Sequence, residues 1–124
     1  KRKRKELRQM YEMVDEAIAI LNNQKNIERF GKLLHESWQL KRSLSNKITT
    51  SQIDDIYDTA RRAGAIGGKL LGAGGGGFVL LFAKPNDQPK IKQKLKHLLQ
   101  IPFQFENQGT QIIFCQHDVK ERCL

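Results

Sequence analysis

Cysteine is scarce in this 124-residue chain: there are two, Cys115 and Cys123, both within the last ten residues. Neither has a second cysteine or a histidine at metal-ligand spacing, so they read as reduced thiols, with no metal site and no disulfide framework. Cys115 continues the apolar run Ile112-Ile113-Phe114 and is expected to pack, whereas Cys123 is expected to be exposed. Long apolar runs are also missing. No stretch reaches the roughly 18 residues of a membrane helix, and the charged N-terminus has no apolar segment behind it. The sequence therefore predicts no membrane span and no signal peptide, and a cytoplasmic protein. Acidic residues are outnumbered, 13 against 22 Lys and Arg, but Lys1, Arg2, Lys3, Arg4 and Lys5 supply five of that surplus of nine. Aromatic residues make up 7% and are not interleaved with the basic ones as they would be on a nucleic-acid surface. Three histidines, His35, His97 and His117, stand far apart, and none has the partners expected of a catalytic imidazole.

Glycine, by contrast, is concentrated. Gly72-Ala73-Gly74-Gly75-Gly76-Gly77 leads directly into Phe78-Val79-Leu80-Leu81-Phe82. Four consecutive glycines beside a strand are costly in chain entropy, and they make sense where the backbone must turn sharply or approach something closely. Two explanations stand side by side: exposed backbone donors that wrap an anion next to Lys69, or a tight connection in which two backbones pass.

Around this loop the pattern predicts a single α+β domain over residues 1–124. Leu7, Met10, Val14, Ala17, Ile18 and Leu21 form one helical stripe, stopped by Asn22-Asn23. Ile27, Phe30, Leu34, Trp38 and Lys41 form a second, and the short connection implies an antiparallel pair with Trp38 in the core. The polar segment 43–50 reads as a turn. Ser51 with Asp54 is expected to open a third helix running to about Gly64, where glycine suits a left-handed cap. Thr50 and Ser45 have turn or cap uses. Phe78 to Ala83 is expected to be a strand buried on both faces or central in its sheet, with Lys69 to Leu71 as a possible neighbour. Asp87 is expected to cap a fourth helix with Pro89 in its first turn and Ile91, Leu95, Leu98 and Leu99 facing inward. Phe103 and Phe105, a connection at Asn107-Gln108-Gly109 and a last strand over 110–115 read as a hairpin. The economical arrangement is an antiparallel sheet of three or four strands packed on helices.

Two common nucleotide signatures fail. Gly72-x-Gly74-x-x-Gly77 opens a strand rather than the helix a dinucleotide fold needs, and Gly68-Lys69 has Ala63 where a phosphate loop needs glycine and Leu70 where it needs Ser or Thr. The longer string is more specific. Lys69-Leu70-Leu71-Gly72-Ala73-Gly74-Gly75-Gly76-Gly77-Phe78, preceded by Ala63-Gly64-Ala65-Ile66-Gly67-Gly68, resembles the third conserved motif of the GHMP small-molecule kinases. With Trp38 to Ser45 and the segment from Pro102-Phe103 to Gln108-Gly109, the sequence is most similar to the D-glycero-D-manno-heptose 7-phosphate kinases of that superfamily.

That resemblance implies a ferredoxin-like layer with extra N-terminal helices, corresponding to the C-terminal domain of such a kinase. It implies a partner N-terminal kinase domain that supplies the nucleotide loop and the catalytic residues, so the catalytic residues are not in this chain and the chain alone is expected not to turn over. ATP and Mg²⁺ are implied, both mainly through that other domain. Gly72, Ala73, Gly74, Gly75, Gly76 and Gly77 would line the cleft, and a sugar-phosphate substrate would be met by Lys69 and by Lys41, Arg42 and Lys47, for which Arg offers a bidentate fork and Lys a point charge. Two positions depart from the motif: Leu71 stands where the family often has Thr, and Phe78 where it often has Cys, so no hydroxyl contact carries over at Leu71. The rival reading is a basic α+β module that binds nucleic acid or a small ligand. No metal site and no membrane partner are expected, and the oligomeric state is not legible.

Overall fold

The computed structural model describes residues 2–23, 26–72 and 74–111. Helix α1 (Arg2–Asn22) and helix α2 (Glu28–Leu44) pack side by side and are followed by α3 (Ser51–Arg62), strand β1 (Ala65–Leu71), strand β2 (Phe78–Ala83), a 3₁₀ turn (Pro85–Asp87) and α4 (Gln88–Lys94). No helix among the described residues is long and apolar enough to cross a membrane.

The α1 stripe divides in two. Met13 and Ile20, with Ala17, pack against Leu33, Phe30 and Leu40 of α2, whereas Leu7, Val14, Ile18 and Leu21 are about half exposed. The predicted stripe thus followed mostly the exposed face and left out Met13 and Ile20, each one residue before a stripe position, which carry the contact with α2. Helix α2 bears out its stripe at Trp38, which is buried with Ile53, Tyr57 and Leu70.

Helix α3 starts one residue away from the expected cap. The Thr50 hydroxyl accepts from the Ile53 N–H at 3.3 Å, and Ser51 is already helical. Asp54, expected in the first-turn cap, instead accepts from the Thr49 hydroxyl at 2.8 Å and pairs with Arg42 at 3.0 Å. Gly64 follows the helix with φ +116°, which fits the expected glycine at the helix end.

Strands β1 and β2 are antiparallel, with Lys69 opposite Leu80 and Leu71 opposite Phe78. β1 begins four residues earlier than the sequence indicated. Gly67 and Gly68 weaken its strand signature, yet both are crowded: a Cβ on Gly67 would lie 1.8 Å from the Gly31 carbonyl oxygen of α2, and one on Gly68 2.3 Å from the Leu80 carbonyl oxygen of β2. The register shifts between Ala65 and Gly67, and at that shift the Arg61 guanidinium donates to the carbonyls of Ala65 and Ile66. Among the described residues the sheet has these two strands, and β2 is exposed or partly exposed there rather than buried on both faces. Phe78 is exposed and the rest of β2 partly so.

Helix α4 is shorter than the pattern suggested. Ile91 is buried with Ala60, Ala63 and Ala65, and Asp87 precedes the helix without a side-chain cap bond. Leu98 and Leu99 were expected to face inward but lie beyond the helix end and are exposed. Phe103 and Phe105 meet edge to face at 5.9 Å without strand pairing. The Asn107 and Gln108 amides turn back onto the Glu106 carboxylate instead of closing a hairpin ladder. Thr110 and Gln111 are irregular, and the remainder of the expected last strand, with Cys115, His117 and Cys123, lies outside the described residues.

Candidate functional site

The glycine loop bridges the adjacent ends of β1 and β2 and rests on the polar turn between α2 and α3. The Gly75 N–H donates to the Ile48 carbonyl at 3.1 Å. Gly74, at φ +112°, approaches so closely that a Cβ would stand 3.1 Å from the Ile48 Cα and 3.3 Å from the Lys47 carbonyl oxygen. Gly77, at φ +127°, passes under Leu71, whose carbonyl oxygen would be 2.3 Å from an added Cβ. These conformations exclude L side chains. Gly76 differs: it is not in the left-handed region, and a Cβ there would meet nothing within 4 Å. The packing explanation thus accounts for Gly74 and Gly77, and it leaves Gly76 bordering open space. Ala73 lies outside the described residues.

The turn beneath the loop is itself braced. Lys47 N–H donates to the Ser45 hydroxyl at 3.2 Å, and the Arg42–Asp54–Thr49 network ties the end of α2 to the start of α3. From α2, the Lys41 ammonium donates to the Gly72 carbonyl at 3.4 Å. The structure therefore brings Lys41, Lys47 and the loop glycines together. Lys47 is exposed at the rim. Lys69, half-buried on β1, lies two residues before the end of the strand, and by strand alternation shares a face with Leu71 and not with the buried Leu70. Arg42 is engaged by Asp54 below the turn. Such a rim can attract and orient an anion. The carboxylate that enters this network, Asp54, is held by two partners as scaffold.

Two features were not legible. The backbone of Ile48 carries the loop, and no residue type announces a carbonyl contact. His35 Nδ1 lies 2.8 Å from the Tyr57 hydroxyl with the rings stacked at 6°, a pairing across 22 positions that helical spacing conceals. Burial, reinforced by Arg61, holds the His35 imidazole below its ordinary pKa, and burial pushes the Tyr57 phenol up. A cleft of about 290 Å³ between α3 and the segment after α4, with Asp55, Thr59 and His97 on its walls, includes none of the loop glycines or rim cations.

Known proteins resemble this chain in sequence and fold. Over 94 residues the chain is 33% identical to the mevalonate kinase of Pyrococcus abyssi, covering 73% of this chain and 27% of the relative. It is 32% identical over 65 residues to the D-glycero-alpha-D-manno-heptose 7-phosphate kinase of Campylobacter jejuni, covering 52% and 19% respectively. Among solved structures, L. major mevalonate kinase, in complex with R-mevalonate, superposes with a TM-score of 0.61 at 28% identity, over 73% of this chain and 28% of that one. The chain thus spans between about a fifth and just over a quarter of these proteins. The family model described as GHMP kinases C terminal matches residues 13–100, a range that takes in α2, α3, the glycine loop and both strands. With this α+β fold and this loop, the chain belongs to the GHMP kinase C-terminal family.

Proposed function

We propose that this chain is the substrate-side domain, a single unit over residues 1–124, of an ATP-dependent small-molecule kinase whose acceptor is a heptose 7-phosphate or a related sugar phosphate. The observation that carries the reading is the glycine loop stacked on the braced turn, with Lys41 and Lys47 beside it and open space at Gly76. In this reading Gly72 to Gly77 line a cleft shared with an N-terminal kinase domain. Lys41, Lys47 and Lys69 supply positive charge to the substrate phosphate, and Arg42 offers it the guanidinium nitrogens that Asp54 does not occupy. Transfer moves the γ-phosphoryl from ATP to an acceptor hydroxyl, releasing ADP and a proton, and depends mostly on positioning and charge stabilisation. The nucleotide site and the catalytic base are assigned to the N-terminal domain. Mg²⁺ is assigned there too, as the family resemblance implies, bound with the nucleotide phosphates. The same reading makes the enzyme cytoplasmic.

The acceptor assignment is supported by the resemblance of the Trp38 to Ser45 and glycine-loop segments to the heptose 7-phosphate kinases. The test is an ADP-release assay on the chain joined to an N-terminal kinase domain, with heptose 7-phosphate, mevalonate and galactose as acceptors. The expected result is the highest kcat/KM with heptose 7-phosphate and no turnover by the 124-residue chain alone. Preference for mevalonate or galactose would overturn the acceptor, and turnover by the isolated chain would overturn the division of labour.

A further inference from the structure

We propose that Thr49, anchored on Asp54, is the positioning residue of the glycine loop. The seat of the loop is a single peptide unit. The Gly75 N–H donates to the Ile48 carbonyl at 3.1 Å, and that carbonyl belongs to the planar unit joining Ile48 to Thr49. Rotation of this unit would carry the acceptor oxygen away from Gly75. The side chain that opposes such rotation is the one attached to it: the Thr49 hydroxyl donates to Asp54 Oδ1 at 2.8 Å. Its other contact, with the Thr50 carbonyl at 3.5 Å, is long. The loop has no slack toward the turn either, since at Gly74 even a Cβ would stand 3.1 Å from the Ile48 Cα.

Asp54 is a fixed anchor because both helices hold it. It lies in the first turn of α3, and the same oxygen, Oδ1, pairs with the guanidinium of Arg42, in the last turn of α2, at 3.0 Å. Both side chains of that pair are 27% exposed, so solvent screens them less than it would on an open surface. A hydroxyl bound to an ionised carboxylate is also held more strongly than one bound to a neutral group. The route therefore runs from two helices through one carboxylate oxygen and one hydroxyl to a backbone carbonyl, and from there to Gly75. Within the kinase reading, on which this role rests, the same route sets how tightly the acceptor is held against the loop.

Conservative variants separate positioning from fold stability. Thr49→Val keeps the shape and removes the hydroxyl, whereas Thr49→Ser keeps the hydroxyl. By NMR on the 124-residue chain, Thr49→Val is expected to speed exchange of the Gly75 amide proton roughly tenfold, the effect of losing a hydrogen bond to a charged group. The paired amides of β1 and β2 should stay protected, and Thr49→Ser should retain the parent rate at Gly75. In the chain joined to an N-terminal kinase domain, assayed with whichever acceptor it turns over best, Thr49→Val is expected to raise KM for that acceptor several-fold. There kcat and KM for ATP should be unchanged, and Thr49→Ser should restore the acceptor KM. Parental Gly75 exchange in Thr49→Val, an equal increase in Thr49→Ser, or a uniform increase across both strands would overturn the positioning. Altered exchange with an unchanged acceptor KM would overturn its role in acceptor binding. Exchange is read without substrate, so a preference for mevalonate or galactose would overturn the acceptor assignment and leave the positioning standing.

Discussion

Alanine at Gly76 and alanine at Gly77 differ by one position and separate the two explanations of the glycine loop. At Gly77 the new Cβ would stand 2.3 Å from the Leu71 carbonyl oxygen on a backbone at φ +127°. The left-handed conformation costs a non-glycine residue about 1–2 kcal/mol, and forcing an atom into occupied space costs about 1–3 more. A total near 3 kcal/mol is expected. For a domain of this length that lowers Tm by roughly 12 °C, at about 4 °C per kcal/mol. At Gly76 neither cost applies, and the change should remain within about 0.5 kcal/mol or stabilise slightly through the unfolded chain. Urea unfolding followed by tryptophan fluorescence measures both, because Trp38 is the sole tryptophan and is 1% exposed. A loss above about 1.5 kcal/mol at Gly76, three times the range expected for an uncrowded surface site, would refute the claim that the space beside it is open. If Gly76→Ala folds normally yet raises KM for the acceptor in the joined kinase, that space is used by ligand.

Thr50→Ala should cost about 1 kcal/mol, as removal of a helix N-cap does, and Ser51→Ala far less, by the same urea assay. His35 has a folded pKa below its ordinary value, so the unfolded chain binds more protons in the interval between the two. Stability should be complete above about pH 6.5, the ordinary histidine value, and be lost as pH falls through the folded value. An imidazole NMR titration with its midpoint above 6.5 would reverse that sign. Lys47→Met in the joined kinase should raise KM for a phosphorylated acceptor at least several-fold with little change in stability, since Lys47 is exposed; unchanged KM would remove it from the substrate rim.

Much of this was legible because it is local. Helical spacing located α2 and α3, and the apolar run Phe78 to Ala83 located β2 with its bounds. The glycine motif named the family because its residues are contiguous. What escaped depends on distant contacts. β1 was shortened because Gly67 and Gly68 look like loop, whereas Gly67 is there to admit the Gly31 carbonyl. The α1 stripe was placed on the exposed side and missed Met13 and Ile20, because two apolar rows one residue apart both repeat at helical spacing and only packing on α2 chooses between them. Leu98 and Leu99 kept helical spacing after Lys94, where the helix has ended. At the site, Lys41 was singled out for its charge, but its reach to the Gly72 carbonyl spans 31 positions, and Asp54 was read as a cap when its partners lie on α2 and in the turn.

The shift in register at Ala65 to Gly67, fastened by Arg61, has a consequence for how this loop can be altered. Because the pairing of the two strands is anchored at the end remote from residues 72–77, the loop does not itself have to set which residue faces which. Changes at the part of the loop that borders open space, Gly76, can therefore leave Lys69 and Leu80 opposite one another, whereas Gly74 and Gly77 are held to glycine by their own close contacts.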